Sequence, residues 1–186
     1  MIRDLSPDVA AAKLVLELAT KGYAIIKSCR PPKFLTSLGE ELGPMFAKTP
    51  FCKGPFYGNR TKRIGGLLKR SSRVQYLVQD QVILPAVKRI LGGGCDRIQL
   101  NVAQAIELNP GEVRQFPHRD HDMWPCAKGD QEFLVNVIWP LTPVTADNGA
   151  THIYPNSHGF EGRAKPDLGW PGVGACVPGS AICFLG

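Results

Sequence analysis

The chain has 186 residues, of which 44% are hydrophobic, and this is enough apolar material for one domain with a single core. Its 20 glycines and 16 prolines are spread along the chain, which favours many short elements and excludes a disordered polymer. The net charge of +6 suits an anionic ligand, but the chain lacks the dense basic patch of a nucleic-acid-binding protein. We interpret the one local basic run as a solvated face. It comprises Lys62, Arg63, Lys69, Arg70 and Arg73.

Cysteine spacing and hydropathy give an expectation for the compartment. The six cysteines form no CxxC pair and no disulfide-framework spacing, so we expect reduced thiols. No apolar run approaches the roughly 20 residues that a membrane span needs. We therefore expect a soluble cytoplasmic protein with neither a membrane nor a nucleic-acid partner. The cysteines are Cys29, Cys52, Cys95, Cys126, Cys176 and Cys183.

The chain opens with clear helix signals. Ser6 is a preferred capping residue, Pro7 suits the first helical position, and Gly22 is a stop signal. Residues 23–29 then have the composition of a strand. A helix followed directly by a strand is therefore predicted for the first 29 residues.

Helical spacing continues further along the chain. Apolar residues after Pro32 predict a helix that Gly43-Pro44 ends, followed by a glycine- and lysine-rich loop at 48–62. Residues 72–91 predict more helix, with Pro85 restarting a turn and the glycines after Leu91 ending it.

From Arg97 the apolar period changes from 3.6 to 2. Further strand-like runs occupy residues 132–139, 150–154 and 180–185. We expect the even-numbered apolar residues of the first run to face the core. They are Ile98, Leu100, Val102, Ile106 and Leu108.

Helices followed by short strands predict an α+β, mainly β, domain. We expect one domain over residues 1–186, with a helical part at about 1–95 and a β-barrel part at about 96–186. The strands would form an antiparallel sandwich or barrel, and the N-terminal helices would buttress one face of it.

The densest polar cluster lies between Gln115 and Asp122. Residues two apart in a strand point the same way, so His118 and Asp120 can present an imidazole nitrogen and a carboxylate oxygen to one metal ion. Such a pair supplies two of the three ligands of a 2-His-1-carboxylate Fe(II) site. A surface loop of mixed charge explains the same spacing equally well.

Gln104 is an amide on the otherwise apolar even-numbered face. A buried amide needs a hydrogen-bond partner, so Gln104 either contacts a cofactor or ligand inside the barrel or bonds backbone across the sheet.

About 30 residues after His118, the stretch from Asp147 to Gly159 contains Asn-Gly-Ala-Thr and Pro-Asn-Ser-His. This stretch resembles the NGxT…PxSH signature of the phytanoyl-CoA dioxygenase family, and the His-Arg-Asp triplet and Trp124 agree with it in order and spacing. The resemblance runs from about residue 20 to the end. It implies a natural-product type of Fe(II)- and 2-oxoglutarate-dependent oxygenase on a double-stranded β-helix, also called a jelly roll or cupin-like fold.

The resemblance also implies roles for individual residues. His118 and Asp120 would ligate the iron. Gln115 and Thr151 would contact 2-oxoglutarate, and Arg63 is a weaker match to a basic residue that does so. The cofactors implied are Fe(II), 2-oxoglutarate as cosubstrate, and dioxygen (O2), and the partner is a small-molecule substrate.

The same resemblance suggests a substrate pocket. The glycine-rich segment 48–70 is similar in position to a lid over the substrate. Asp122 and Trp124 either line the pocket beside the ligands or are a surface acid and a core indole.

The family pattern includes a second histidine ligand and, some ten residues later, an arginine for the distal carboxylate of 2-oxoglutarate. Both are expected beyond Gly186, with the last strands of the barrel. His121, His152 and His158 are not favoured as the third ligand, because His121 and His152 should face away and His158 closes a turn.

Two other functions remain open alongside an oxygenase that hydroxylates or otherwise oxidises a small secondary metabolite. One is a non-catalytic accessory subunit of the same fold. The other is a cupin-like metal-dependent isomerase or binding module. A homodimer and a heterodimer are both compatible with the sequence.

Overall fold

The computed structural model describes residues 4–125, 131–159 and 171–186. The helices in these ranges are α1 Pro7–Lys21, α2 Pro32–Lys48, α3 Arg73–Val78 and α4 Ile83–Leu91. The strands are β1 Tyr23–Ile26, β2 Thr61–Ile64, β3 Ala105–Leu108, β4 Val135–Ile138, β5 His152–Ile153, β6 Gly172–Val173 and β7 Ala181–Leu185.

The strands form antiparallel sheets, as predicted. One sheet has the order β1-β7-β4, and two further pairs join β2 to β3 and β5 to β6. In the three-stranded sheet Ile26 lies opposite Ala181, and Val137 lies opposite Cys183. Strands from both halves of the chain therefore pair with each other, and the helical half contributes β1 and β2.

The helices pack on these sheets in two groups. Helices α1 and α4 share a buried cluster with β1 and β7, and helices α2 and α3 share another with β2 and β3. The Trp139 side chain packs against both clusters. The helices thus cover one side of the β1-β7-β4 sheet and one side of the β2–β3 pair.

Helix α1 begins and ends where the sequence predicts. Gly22 has a left-handed φ of +81°, and its N–H donates to the carbonyl of Leu18 at 2.8 Å. A Cβ at this position would lie 2.6 Å from Nδ1 of His158, whose Nε2 is 3.1 Å from the Ala19 carbonyl oxygen. The Pro-Asn-Ser-His turn therefore packs against the end of this helix.

Helix α2 is longer than predicted. It continues through Pro44 to Lys48, so the expected end at Gly43-Pro44 is wrong. Pro44 removes one N–H from the helix, but Leu42 and Phe46 on either side of it are buried against the core. Burial of this apolar face offsets the lost hydrogen bond.

The helix predicted at 72–91 is interrupted at residues 79–82. The helix resumes at Ile83, two residues before the Pro85 at which it was expected to restart. Pro85 lies in the first turn of α4, where its missing N–H costs nothing. The fully buried Asp80 begins α4, because its Oδ1 accepts the N–H groups of Val82 at 2.9 Å and Ile83 at 3.1 Å. Its Oδ2 lies 3.1 Å from Nη2 of Arg30.

The even-numbered apolar face around β3 was expected in the core, and the structure contradicts this. Its large side chains are between 46% and 62% exposed; these are Leu100, Val102, Ile106 and Leu108. The opposite face is buried instead, since Ala105 and Ile64 pack with helix α2. Small alanines let the helix approach this face closely, so the bulky residues lie on the other side. We call that side the open face of β2–β3.

The described residues contain no helix with the length and apolar character that a bilayer crossing requires. Their five cysteines are thiols rather than disulfides, and Cys126 lies outside the described ranges. Burial raises the pKa of the Cys183 thiol, so this group stays protonated at neutral pH.

We expect Asp80→Ala to destabilise the fold by about 3 kcal/mol, because it removes the start of α4 and leaves the Arg30 guanidinium without its buried partner. Chemical unfolding monitored by circular dichroism measures this change.

The matched control is Asp8→Ala, since Asp8 forms an ion pair with Arg89 but is 83% exposed. That substitution should cost less than about 1 kcal/mol. Equal losses in the two variants would contradict the assigned role of Asp80.

Candidate metal centre

His118 and Asp120 meet although the segment that carries them is not a paired strand. Arg119 between them is extended, with φ −110° and ψ 134°, and Asp120 begins a 3-10 turn that runs to Met123. The predicted continuous strand is therefore absent here. The single extended residue is enough to bring Nε2 of His118 to 3.5 Å from Oδ1 of Asp120.

The backbone fixes the orientation of the imidazole. Nδ1 of His118 is 2.9 Å from the carbonyl oxygen of Phe116, which can only accept a hydrogen bond. Nδ1 therefore donates, and in the neutral ring the lone pair of Nε2 faces the Asp120 carboxylate. Two facing acceptors require a cation between them, either a proton or a metal ion.

The hydrogen bond to Asp120 raises the pKa of His118, partial burial opposes this shift, and the Phe116 carbonyl adds to it. Both groups are partly buried, since the side chains of His118 and Asp120 are 27% and 35% exposed.

The distance also fits a metal ion. Two neighbouring ligand atoms at about 2.1 Å from a divalent metal are about 3 Å apart, close to the observed 3.5 Å. A ligating histidine usually donates its other ring N–H to a carbonyl or carboxylate, as His118 does to Phe116. The donor atoms of this pair therefore fit Fe(II) in their chemistry and spacing.

The second oxygen of the carboxylate is bound separately. Oδ2 of Asp120 accepts a hydrogen bond from Nδ2 of Asn136 at 3.0 Å. Asn136 lies on β4 opposite Phe184 of β7, so it is held within the three-stranded sheet.

The loop before β2 carries Phe56 and Tyr57 and lies against His118; we call it the aromatic loop. The rings of Phe56 and Phe116 have centroids 4.9 Å and 5.9 Å from that of His118, and Tyr57 packs edge-on against Phe56. Gln115 donates from Nε2 to the carbonyl of Phe56 at 2.6 Å. Gln115 therefore lies beside the aromatic loop, and this loop is part of the segment 48–70 that was expected to form a lid.

Arg63 and Gln104 are neighbours on the open face of β2–β3. Gln104 is exposed there, so the expectation of a buried amide inside the barrel is wrong. Nη1 of Arg63 lies 3.5 Å from Oε1 of Gln104, and its guanidinium is 5.4 Å from the centroid of the Tyr57 ring. Its buried Nε has no hydrogen-bond partner among the described residues. A cation held in this way is suited to an anionic ligand.

The turn that precedes Thr151 contacts the same open face. A Cβ on Gly149 would lie 2.6 Å from Cδ1 of Leu108, so the Asn-Gly turn packs closely against β3. Thr145 and Asn148 close this turn through a capping box. Thr151 itself is half-buried, and its carbonyl accepts the N–H of Gly174 at 2.9 Å.

Asp122 and Trp124 occupy different surroundings. Asp122 accepts a hydrogen bond from Arg119 at 2.9 Å and is 43% exposed. Trp124 stacks on Phe133 with ring centroids 6.4 Å apart, and its buried Nε1 has no partner among the residues described. His121 is 6% exposed and lies against the same phenylalanine at 5.4 Å. The indole belongs to this aromatic cluster.

The remaining histidines lie elsewhere in the fold. His152 is exposed on β5 opposite Val173, and His158 packs against the end of α1. Within the described ranges, no three His, Cys, Asp or Glu side chains converge as a metal-binding group. The pair formed by His118 and Asp120 is therefore the candidate metal site among these residues.

Three contacts of the site escaped the sequence reasoning. Asn136 stands in the apolar run Val-Asn-Val-Ile, and the rule applied to Gln104 would have identified it as a buried amide that needs a partner. Phe56 and Glu112 carry no comparable local signal, because their partners are distant in sequence.

Glu112 connects the aromatic loop to the turn that precedes His118 and Asp120. Its Oε2 accepts from the N–H of Arg60 at 2.5 Å and from Oγ1 of Thr61 at 2.8 Å, and Oε1 accepts from its neighbour Val113 at 3.0 Å. Gly58, with φ +86°, is required here because a Cβ would lie 2.3 Å from Oε2. Desolvation raises the pKa of Glu112, but these hydrogen bonds outweigh it and the net pKa is lowered.

We expect Glu112→Gln to loosen the aromatic loop, giving faster amide hydrogen exchange at Arg60 and a lower unfolding midpoint at pH 7. Because the folded-state pKa is depressed, the stabilisation by Glu112 is present above its ordinary pKa of 4.5 and is lost as the pH falls through the folded value. Denaturant unfolding at pH 7 and pH 3 measures the difference between wild type and variant.

The control is Glu107→Gln on β3, whose carboxylate lies 3.7 Å from Nζ of Lys62 and is 40% exposed. This variant should leave exchange at Arg60 unchanged. A difference between wild type and Glu112→Gln that stays constant across this pH range would count against the hydrogen-bonded carboxylate.

Solved structures of proteins that depend on or bind 2-oxoglutarate are similar in fold. The crystal structure of the non-heme alpha ketoglutarate dependent epimerase SnoN from nogalamycin biosynthesis matches with a TM-score of 0.70 at 13% identity, covering 96% of this chain and 72% of that chain. HygX from Streptomyces hygroscopicus, solved with nickel and 2-oxoglutarate bound, matches with a TM-score of 0.64 at 14% identity, covering 92% and 76%. The chain is therefore similar in fold to these proteins, which have a jelly-roll fold, and its own described strands form antiparallel sheets beside the helices.

The sequence defines the family. Residues 18–168 match the model of the phytanoyl-CoA dioxygenase family, so the chain belongs to that family and the resemblance read from its motifs is confirmed. Dioxygenase cdmD of Talaromyces verruculosus is 31% identical over 174 residues, which cover 88% of this chain and 55% of the relative. Dioxygenase aneA of Aspergillus aculeatus is 26% identical over 174 residues, covering 87% and 58%. The chain thus spans little more than half the length of these relatives.

Proposed function

We propose that the chain forms the metal-binding part of an Fe(II)- and 2-oxoglutarate-dependent dioxygenase that hydroxylates or otherwise oxidises a small organic substrate. The observation that carries this proposal is the facing pair of Nε2 of His118 and Oδ1 of Asp120, 3.5 Å apart. Membership of the phytanoyl-CoA dioxygenase family and the named activity of its dioxygenase relatives support it.

In this proposal His118 and Asp120 hold Fe(II) and supply two of its protein ligands. With 2-oxoglutarate and dioxygen bound, the iron would supply the oxidising power for the reaction. The chain's own residues set the conditions: the Phe116 carbonyl keeps the His118 lone pair directed at the metal, and the aromatic ring of Phe56 keeps water from one side of it.

Four residues are proposed to contact 2-oxoglutarate, namely Gln115, Thr151, Arg63 and Gln104. Arg63 can donate to a carboxylate in two places, and the amide of Gln104 lies beside it at 3.5 Å. The Asn-Gly turn brings Thr151 toward the open face that carries both side chains. The contact between Gln115 and the Phe56 carbonyl links this group to the aromatic loop.

The open face favours a substrate with an apolar body. Ile106 and Leu108 are half-exposed on it, and Phe116 next to the histidine is 58% exposed. SnoN, which shares the fold, acts in nogalamycin biosynthesis, so a natural-product substrate is our proposal here. Asp122 and Trp124 are retained as candidates for the far side of this pocket.

A non-catalytic accessory subunit or a cupin-like isomerase would have the same fold without the same reaction. Formation of succinate that depends on Fe(II) and 2-oxoglutarate separates the proposed activity from both. Absence of succinate from a metal-loaded protein that turns over its substrate would favour the isomerase.

We expect His118→Ala and Asp120→Ala to lose most Fe(II) binding and all turnover while the fold persists, since both side chains are partly exposed and contribute little to the core. Anaerobic Fe(II) titration measures the binding, and circular dichroism checks the fold.

His152→Ala is the matched control, because this histidine is exposed on β5 and should leave iron affinity unchanged. Wild-type affinity in either ligand variant would overturn the assignment of the metal centre.

We expect Thr151→Val to raise the apparent KM for 2-oxoglutarate by about tenfold to a hundredfold, because a hydrogen bond to a charged carboxylate contributes about 1.5–3 kcal/mol. The KM for the oxidised substrate should hardly change. Thr36→Val on α2, whose hydroxyl donates to the Lys33 carbonyl, is the control. An unaltered 2-oxoglutarate dependence in Thr151→Val would remove this residue from the cosubstrate site.

A further inference from the structure

A polar side chain lies in the middle of an apolar strand. Asn136 is half-buried in the Val-Asn-Val-Ile run of β4, and its Nδ2 donates to Oδ2 of Asp120 at 3.0 Å. Placing an amide in such a strand costs free energy unless the amide is hydrogen-bonded, and this contact satisfies its donor.

The contact distinguishes the two oxygens of Asp120. A carboxylate can rotate so that either oxygen faces His118, because its two oxygens are chemically equivalent. The amide of Asn136 holds Oδ2, and Oδ1 is left 3.5 Å from Nε2 of His118. The rotation of the carboxylate is therefore set by a side chain outside the His-Arg-Asp triplet.

Asp120 needs this support because its own backbone supplies little. It begins a 3-10 turn after a segment that is not paired in a sheet. Asn136 lies on β4, where it is opposite Phe184 of β7 in the three-stranded sheet. Strand β4, through Asn136, thus fixes the side chain of Asp120, which belongs to a less regular segment.

The chemistry of the amide suits the ligating form of the carboxyl. Nδ2 only donates, so it pairs with an oxygen that accepts, and an ionised Asp120 offers acceptors on both oxygens. The ionised form is also the one that binds a metal. A leucine, which has the same number of side-chain heavy atoms and the same branching, would leave Oδ2 without that bond.

We propose that Asn136 is a positioning residue of the metal centre, which presents Oδ1 of Asp120 to the ion by holding Oδ2. This inference rests on the proposed function, since it assumes that His118 and Asp120 bind a metal. Partners of this kind, which contact a ligand rather than the metal, typically change metal affinity by about 10- to 100-fold when they are removed.

The test compares Asn136→Leu with a matched control. Asn109 also donates from Nδ2 to a carboxylate, that of Glu107 at 3.2 Å, but on the turn after β3 rather than at the metal site. Asn109→Leu therefore removes the same type of bond at another place. Co(II) serves as the probe, because its visible absorption bands report coordination, and competition with a chelator gives its affinity for each protein.

We expect Asn136→Leu to weaken Co(II) binding about 10- to 100-fold and to shift the absorption bands, with Asn109→Leu unchanged in both respects. The unfolding temperature of the metal-free protein gives a separate readout. A merely structural amide would lower that temperature and leave the Co(II) affinity and spectrum of the folded protein as in wild type. That result would overturn the inference.

The outcomes also separate this inference from the proposed function. If wild type and His118→Ala bind Co(II) equally, the metal centre itself is wrong and the role of Asn136 falls with it. If His118→Ala loses binding but Asn136→Leu does not, the metal centre stands and the positioning role is wrong. Should Asn136→Leu fail to fold, Asn136→Ala removes the same donor with less bulk and is judged by the same two readouts.

Discussion

The site depends on the opposition of two hydrogen-bond acceptors, the lone pair of His118 Nε2 and the carboxylate oxygen Oδ1 of Asp120. Each is held in place from behind, the imidazole by the Phe116 carbonyl at 2.9 Å and the carboxylate by the Asn136 amide at 3.0 Å. Acceptors held face to face repel unless a cation lies between them. This constraint explains why the pair fits a divalent metal. It also explains why the Phe116 carbonyl and the Asn136 amide on β4 matter to the pair.

The rest of the fold positions this pair. Helices α1 and α4 bury one side of the sheet to which β4 belongs, and helices α2 and α3 bury one side of β2–β3. Arg63 and Gln104 lie on the uncovered side of β2–β3. The aromatic loop, which Glu112 holds by hydrogen bonds, contacts His118. The buried apolar packing therefore lies on the helical side, and the open face of β2–β3 carries Arg63 and Gln104 beside exposed aliphatic side chains.

Sequence patterns predicted the features that residues close together in the chain decide. The limits of α1 followed from its capping residues, the antiparallel strands followed from the period of two, and the approach of His118 to Asp120 followed from their spacing. Signals failed where tertiary burial decided the outcome: α2 passes through Pro44 because its face is buried, and Asp80 rather than Pro85 starts α4. The open face was misassigned, because periodicity identifies two faces of a strand but not which one a helix covers. The role of Asn136 could not be predicted, because the sequence does not show that β4 lies beside Asp120.

The most direct measurement is anomalous diffraction at the iron edge from crystals of the protein loaded anaerobically with Fe(II). We expect one dominant peak within about 2.3 Å of both Nε2 of His118 and Oδ1 of Asp120, with Oδ2 still bound to Asn136. A dominant peak at His121, His152 or His158 with none between His118 and Asp120 would contradict it.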